Sequence, residues 1–385
     1  MVTEAALPRP RLTRASMIVY VVLALLAIGF LFVSDASYAL TVTSSRLGYD
    51  PLYYLKRHGA HLLLGLCALW LATRIGYQRF RAPAVALVLI AIVLLCLVWV
   101  PGIGIRENGS NRWIAIEGVR FQPSELAKLF VIIFLAAVCS TRAYPIRDLR
   151  GGLAFPGAVL LAVTLMIERQ PDLGTATVLF ASGAGVLFLA GAKVRHLLAV
   201  FAVMSVVGAG LITLHGYRGG RIESWRDPYG TRLAGGYQVF QSLMGVIPSG
   251  LVGVGIGEGS QKFYLPAANS DYIMTTVFEE TGLLGGGVVV GLFATLVGLA
   301  FAVARRAADR FGMLVASGIG LAIGLQAAVN VAVVTNAIPS TGIPLPLVSH
   351  GGTSLIVTLF GIGLLLSVAQ GGQAPAHAQA PDRHG

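Results

Sequence analysis

Long apolar runs recur along this 385-residue chain and constrain its fold more than any other feature. A helix of about 20 apolar residues spans the ~30 Å hydrocarbon core of a bilayer. Such runs cover residues 17–36, 59–76, 83–101, 123–141, 154–169, 172–191, 196–214, 274–303, 311–335 and 350–370. They are continuously apolar, whereas the strands of a membrane β-barrel would alternate. With 56% hydrophobic and only 12% charged residues, the chain lacks the polar surface of a soluble domain. The expected fold is an all-α polytopic membrane protein with about ten transmembrane helices. The 154–169 run is short, and the 274–303 run is long enough to tilt or to start outside the hydrocarbon.

Basic residues orient the bundle. With the N-terminus inside, one side carries 15 of the 28 Lys and Arg residues but only four of the 17 acids, and the other side is balanced. Both termini are then cytoplasmic, in the inner (plasma) membrane. The net charge of +11 is explained by an anionic inner leaflet and calls for no nucleic acid. The organisation expected is a cytoplasmic tail over 1–15, a ten-helix membrane domain over 16–370, and a Gly/Ala/Pro-rich, disordered tail over 371–385. The first run is a full-length span without a convincing cleavage site, so no cleavable signal is expected. Cys67, Cys96 and Cys139 fall inside apolar runs and read as small buried hydrophobes, without disulfide or metal spacing.

Outer connections cover 37–58, 102–122, 215–273 and 336–349. The 215–273 segment, between helices 7 and 8, is the largest, and a loop of that length is usually functional. Its apolar pieces, such as VFQSLMGVIPSGLVGVGIG, predict short helices at the membrane surface or re-entering it.

Polar constellations gather on the same side. In LPAANSDYIMTTVFEETG (265–282), Asp271 precedes an apolar span and is a functional candidate, because ionisable groups at a bundle edge are costly. Glu279 and Glu280 read as capping or docking groups near a positive helix end. In 108–128, Pro123 and Ser124 open a helix. Glu125 and Lys128 are spaced to pair. Arg112, beside Trp113, is either an interfacial anchor or a phosphate grip. In ERQPDLGTA (168–176), Glu168, Arg169, Gln170 and Asp172 crowd a turn, either neutralising one another or lining a wet cavity. Across 221–266, Arg221, Arg226, Arg232 and Lys262 form either solvated surface or a collar for an anionic lipid head group. The glycines there belong to no nucleotide-binding motif. In IPSTGIPLPLVSHGGTSL (338–355), prolines and glycines break the backbone, and Ser349, His350 and Ser354 either pack or contact ligand.

The ordered set NRWI, PSELAK, QPDLGTA, RDPYG…GGYQ…QSL, SGLVGVGIGEGSQK, LPAANSDYI, EETG and STGIPLPLVSHGGTSL resembles the SEDS family, the shape, elongation, division and sporulation proteins RodA, FtsW and SpoVE. RDPYG…GGYQ looks nearer to the FtsW branch. The resemblance implies a peptidoglycan glycosyltransferase that polymerises lipid II on the outer face of the membrane, for cell division or cell shape. It also implies a class B penicillin-binding protein as partner, beside the nascent glycan strand and membrane lipids. The family's essential aspartate falls on Asp271. The usual pattern there is Leu-Pro-Glu, one residue, then His-Thr-Asp-Phe. This chain instead has Ala267, Asn269, Ser270 and Tyr272, so the polar contacts around the aspartate differ.

On this reading Asp271 is the catalytic base. Arg112, Lys128, Gln170, Asp172, Arg221, Gln238, Gln241, Ser260, Lys262, Ser349 and His350 bind substrate, with Ser124, Glu125, Glu279 and Glu280 in support. The chemistry admits Mg2+ or Mn2+ between Asp271 and a diphosphate, although the sequence holds no complete metal cage. No organic cofactor is expected. Two other readings suit an apolar bundle with polar turns: a lipid II flippase, and a non-catalytic scaffold that activates a penicillin-binding protein.

Overall fold

Inside hydrocarbon each backbone N–H and C=O must find a partner within its own segment, and the apolar runs accordingly wind into helices. The computed structural model describes residues 13–42, 50, 52–107, 110–116, 119–141, 144–202 and 216–371. In chain order the helices are α1 (Arg14–Val42), α2 (Tyr53–Ile75), α3 (Ala84–Leu97), α4 (Pro123–Cys139), α5 (Ala154–Glu168), α6 (Leu173–Leu189) and α7 (194–202). They continue with α8 (Gly216–Arg226), α9 (Tyr237–Val246), α10 (Ile273–Ala304), α11 (Arg310–Val334) and α12 (Gly352–Gly371). Among the described residues six segments are long and apolar enough to cross a membrane: Arg14–Tyr38, Tyr53–Ile75, Leu149–Glu168, Ile273–Ala304, Arg310–Val334 and Gly352–Gly371. α3 and α6 are apolar but shorter. The 196–214 run is described only to residue 202, and residues 1–12 and 372–385 of the expected tails lie outside the described residues.

Two close approaches set the bundle. α12 lies along α2, where a Cβ on Gly363 would stand 2.4 Å from the Leu69 carbonyl oxygen. Thr73 Oγ1 donates to the Gly363 carbonyl there at 3.2 Å. Small residues of this kind let membrane helices touch backbone to backbone.

The second approach breaks α10. Gly282 (φ 65, ψ −166) leaves the helical conformation, and the segment 250–255 supplies the partners the helix loses. Val254 and Gly255 donate their N–H groups to the Glu279 and Glu280 carbonyls, both at 3.0 Å, while Leu283 and Leu284 donate to Gly250 and Leu251 at 3.0 and 3.1 Å. A Cβ on Gly253 would stand 2.4 Å from the Glu280 carbonyl carbon, so this exchange needs glycine.

The all-α expectation requires one correction. Connection 102–122 folds into a three-stranded antiparallel sheet of β1 (Gly104–Glu107), β2 (Ser110–Ile116) and β3 (Val119–Phe121). Ile105 pairs with Trp113, and Ala115 pairs with Arg120. The aromatic and β-branched run Trp113-Ile114-Ala115-Ile116 and the dipeptide Asn108-Gly109 are strand and hairpin signals. In a chain dominated by helical spans they had read as an interfacial loop.

Candidate active site

Asp271 sits on a tight turn just before α10. Ala267 adopts φ 60, and its carbonyl accepts from the N–H groups of Ser270 and Tyr272 at 3.0 and 3.3 Å. Three separate elements pin this turn by its polar atoms. From α11, Asn330 Nδ2 donates to the Asp271 carbonyl at 2.8 Å and to the Ile343 carbonyl at 2.9 Å. From the connection after α11, Ser349 Oγ donates to the Ser270 carbonyl at 2.6 Å, and the His350 N–H donates to the Asn269 carbonyl at 2.8 Å. On the α1 side, Asn269 Nδ2 donates to Ser37 Oγ at 3.1 Å. At Asp271 itself the bond is made to the backbone carbonyl and not to the carboxylate.

That carboxylate is partly buried and shares its surroundings with three charged side chains. Burial raises its pKa above the ordinary range. The guanidinium groups of Arg112 and Arg221 pull it down, and the Asp172 carboxylate pushes it up. Gly342, at φ 71, lets the backbone come close, since a Cβ there would stand 3.5 Å from Asp271 Oδ2. Arg221, from α8, donates to the Ser340 carbonyl at 3.1 Å. Arg112, from β2, keeps its Nε buried without a hydrogen-bond partner.

Asp172 and Gln170 are fully buried and hold the sheet against the bundle. Asp172 caps α6 by accepting from the Thr175 N–H at 3.2 Å. Its other oxygen accepts from Gln122 Nε2 at 2.9 Å and from Ser124 Oγ at 3.4 Å. The Gln170 carbonyl accepts from Ser110 Oγ at 2.5 Å, and its amide donates to the Leu95 carbonyl at 3.0 Å. Lys128 pairs with Glu125 at 2.9 Å and donates to Gln326 Oε1 at 2.6 Å, and Gln326 in turn donates to the Pro344 carbonyl at 2.9 Å. Beside the Gln170–Asp172 turn a groove of about 640 Å3 is lined by Trp99, Ala162, Leu165, Met166 and Arg169.

Several expected substrate contacts lie elsewhere. Lys262 is buried with Asp35 Oδ1 at 2.6 Å and Glu280 Oε1 at 2.9 Å, so its charge is spent within the protein. Burial opposes that charge, but the two carboxylates outweigh it and raise the Lys262 pKa. Glu279 and Glu280 do not act on the helix dipole, since they lie beyond the first turn. Glu279 accepts from the N–H groups of Ser260 and Gln261 at 2.8 and 3.1 Å. Glu280 accepts from Gly257 and Gly259 at 2.9 and 3.2 Å, so the pair clasps the glycine-rich loop. Ser260 Oγ is taken up by Glu279 at 3.2 Å. The Ser349 hydroxyl donates to the Ser270 carbonyl and accepts from the Leu345 N–H, so it braces the turn that carries Asp271 and its one proton is taken up within the protein. The His350 ring packs 5.6 Å from His58, 6.1 Å from His61 and 5.3 Å from Tyr54. Burial and the neighbouring cations push its pKa down to about 3, so it is neutral at physiological pH. Gln238 is exposed and Gln241 half-buried on α9, which packs against α10 through Ser242 and Thr275 at 2.8 Å. Arg232 donates to the Tyr229 carbonyl on the exposed surface.

The sequence reading missed Asn330, Gln326, Gln122, Asp35 and Gly342. Gln326 and Asn330 carried a signal: two amides one helical turn apart in an otherwise apolar span. Among the described residues no three His, Cys, Asp or Glu side chains are placed to hold a metal ion. The residues around Asp271 therefore do not form a protein cage for Mg2+ or Mn2+.

Known proteins resemble this chain in sequence and in fold. The family model for cell cycle proteins of the FtsW, RodA and SpoVE type matches residues 15–373. A probable peptidoglycan glycosyltransferase FtsW from Nitrosococcus halophilus is 40% identical over 349 residues, covering 90% of this chain and 89% of the relative. Stage V sporulation protein E of Bacillus subtilis is 36% identical over 359 residues, covering 92% and 96%. Among solved structures, a chain from the work "Structural coordination of polymerization and crosslinking by a peptidoglycan synthase complex" superposes with a TM-score of 0.76 at 29% identity, covering 93% of this chain and 98% of that one. The rod shape determining protein RodA of Thermus thermophilus gives 0.68 at 28% identity, covering 93% and 97%. On these grounds the chain belongs to the FtsW/RodA/SpoVE family of multi-pass membrane cell cycle proteins and stands nearer to its FtsW branch.

Proposed function

We propose that this protein is a peptidoglycan glycosyltransferase that polymerises lipid II, with Asp271 as its general base. The observation that carries this reading is one carboxylate, on a turn pinned by its backbone at the edge of a membrane bundle, within electrostatic reach of two guanidinium groups. The bundle crosses the membrane about ten times with both termini cytoplasmic, and the 215–273 loop and the site lie on the outer face. The inward excess of Lys and Arg supports that orientation.

Chain growth requires a sugar hydroxyl to attack an anomeric carbon. Asp271 takes the hydroxyl proton as the new C–O bond forms. The bond to the lipid diphosphate breaks, and undecaprenyl diphosphate leaves with the electron pair. The donor linkage is α and the product β, so one displacement with inversion suffices. Negative charge grows on the leaving diphosphate, and Arg112, with a buried and unpartnered Nε, and Arg221 are positioned to stabilise it. Lys128 is already neutralised by Glu125 and braces α4 against α11. The raised pKa of Asp271 makes it a stronger base than an ordinary carboxylate. A divalent ion would draw most of its oxygens from the diphosphate and water, with Asp271 as its protein ligand, and no step here depends on one. The apolar groove at Trp99 and Arg169 suits an isoprenoid tail.

The partner in this reading is a class B penicillin-binding protein, which cross-links the strand made here. The superposition on a chain of a peptidoglycan synthase complex supports that pairing. The test is polymerisation by the purified protein, alone and with that partner, given lipid II and resolved by product length. Glycan polymer is expected. Translocation of labelled lipid II in proteoliposomes without polymer would instead identify a flippase, and normal polymer yield from the partner when Asp271 is replaced would identify a scaffold.

A further inference from the structure

On the side of the bundle away from Asp271, an apolar pocket of about 240 Å3 lies among α5, α6 and α7. Leu153, Gly157, Leu161, Phe180, Leu187 and Leu197 are among its exclusively apolar lining. A Cβ on Gly157 would meet no heavy atom within 4 Å, so the α5 wall is open there. An engineered pocket of about 150 Å3 with similar walls already holds benzene. This one is larger and belongs to helices set in lipid, whose acyl chains are the apolar molecules at hand.

Charge at one end of the pocket selects the head group. Leu149 and Leu153 line the pocket from the turn that leads into α5, and Arg150 sits between them. Leu197 lines it from the first turns of α7, with Lys193 and Arg195 just before it. Arg147 adds a fourth exposed base. The one acid in these stretches, Asp148, is engaged in accepting from the Gly151 N–H at 2.7 Å. The positive N-terminal ends of α5 and α7 face the same region.

We infer that this pocket binds one acyl chain of an anionic phospholipid of the inner leaflet, with Arg150 and Arg195 flanking its phosphate. The leaflet rests on the orientation given above, but the binding itself does not. Each base near an anionic head group is worth about fivefold in affinity. Native mass spectrometry of the full-length protein, released from nanodiscs of phosphatidylglycerol or phosphatidylcholine, reads the retained lipid directly and needs no turnover. The wild-type protein should retain phosphatidylglycerol in preference to phosphatidylcholine. Arg150→Gln with Arg195→Gln should reduce that preference about 25-fold. Gly157→Leu, which fills the pocket from an open position, should remove retention of both lipids. Equal retention of the two lipids by the wild-type protein overturns the inference, and so does undiminished retention by Gly157→Leu. The wild-type comparison decides alone if a variant fails to fold. Lipid II polymerisation, measured on the same samples, separates failure here from failure of the proposed function.

Discussion

Replacing Asn330 by alanine probes how the turn that carries Asp271 is held. Asn330 is buried on α11, and its amide bridges the Asp271 and Ile343 carbonyls at 2.8 and 2.9 Å. Alanine removes both bonds and restores neither. A buried group left without its partner costs about 1–3 kcal/mol, which bounds the loss near 2–6 kcal/mol for two carbonyls. The partial exposure at Asp271 lets water reach one of them, and a carbonyl tolerates under-satisfaction better than an N–H, so about 2–4 kcal/mol is expected. The functional loss is the more telling quantity. A shift of about 1 Å in a reacting group costs on the order of 100-fold in rate. Asn330→Ala should therefore lower the polymerisation rate by about that factor. Thr335→Ala is the control, since that exposed hydroxyl returns only to carbonyls of its own helix, and it should leave both quantities near wild type. Thermal unfolding in detergent and a lipid II polymerisation time course measure the two effects. An Asn330→Ala protein with wild-type rate and stability would refute the claim that this amide positions Asp271.

Four further outcomes are expected. Asp271 must be ionised to accept a proton, so the polymerisation rate should fall as pH drops through its raised pKa, with the acid limb above the ordinary carboxylate range. The stability sign runs the other way: the neutral form is favoured by the fold, and that contribution is lost as pH rises through the folded pKa, so Asp271→Asn should be at least as stable as wild type at neutral pH. Lys262→Met should destabilise by about 3–5 kcal/mol, because it strands Asp35 and Glu280 without their cation, and adding Asp35→Asn should recover part of the loss in thermal unfolding. Gly253→Ala should destabilise by more than about 2 kcal/mol, since φ is 75 there and the new Cβ would fall 2.4 Å from the Glu280 backbone, and loss of purified yield or melting temperature would show it.

The membrane class and most helix positions were legible because hydrocarbon imposes a single length and a single polarity on every crossing. The position of Asp271 was legible for the complementary reason, as a costly carboxylate at the edge of a span, and its role as base is the proposal. The roles of its neighbours were harder to read. Lys262 and Arg221 look alike in a basic, aromatic loop, yet one is buried in an ion cluster with Asp35, over 200 residues away in the chain, and the other donates to the Ser340 carbonyl within electrostatic reach of Asp271. Tertiary pairing makes that difference, and no local pattern encodes it. Ser349 looked like a ligand contact because any hydroxyl can meet a ligand, whereas the fold spends its proton on the Ser270 carbonyl and turns its oxygen to the Leu345 N–H. The Gly282 break in α10 is hidden because Gly285, Gly286, Gly287 and Gly291 in the same apolar run stay helical, so glycine alone does not mark the break.

The central claim is that the Asp271 carboxylate takes the proton during chain growth. Asp271→Asn keeps the size and the backbone bonds of the turn while removing the base. Polymerisation by the purified Asp271→Asn protein with its partner, alongside lipid II binding to the same sample, is the most direct measurement. The account predicts binding close to wild type with no glycan polymer. Polymer formed at a rate near wild type would contradict it.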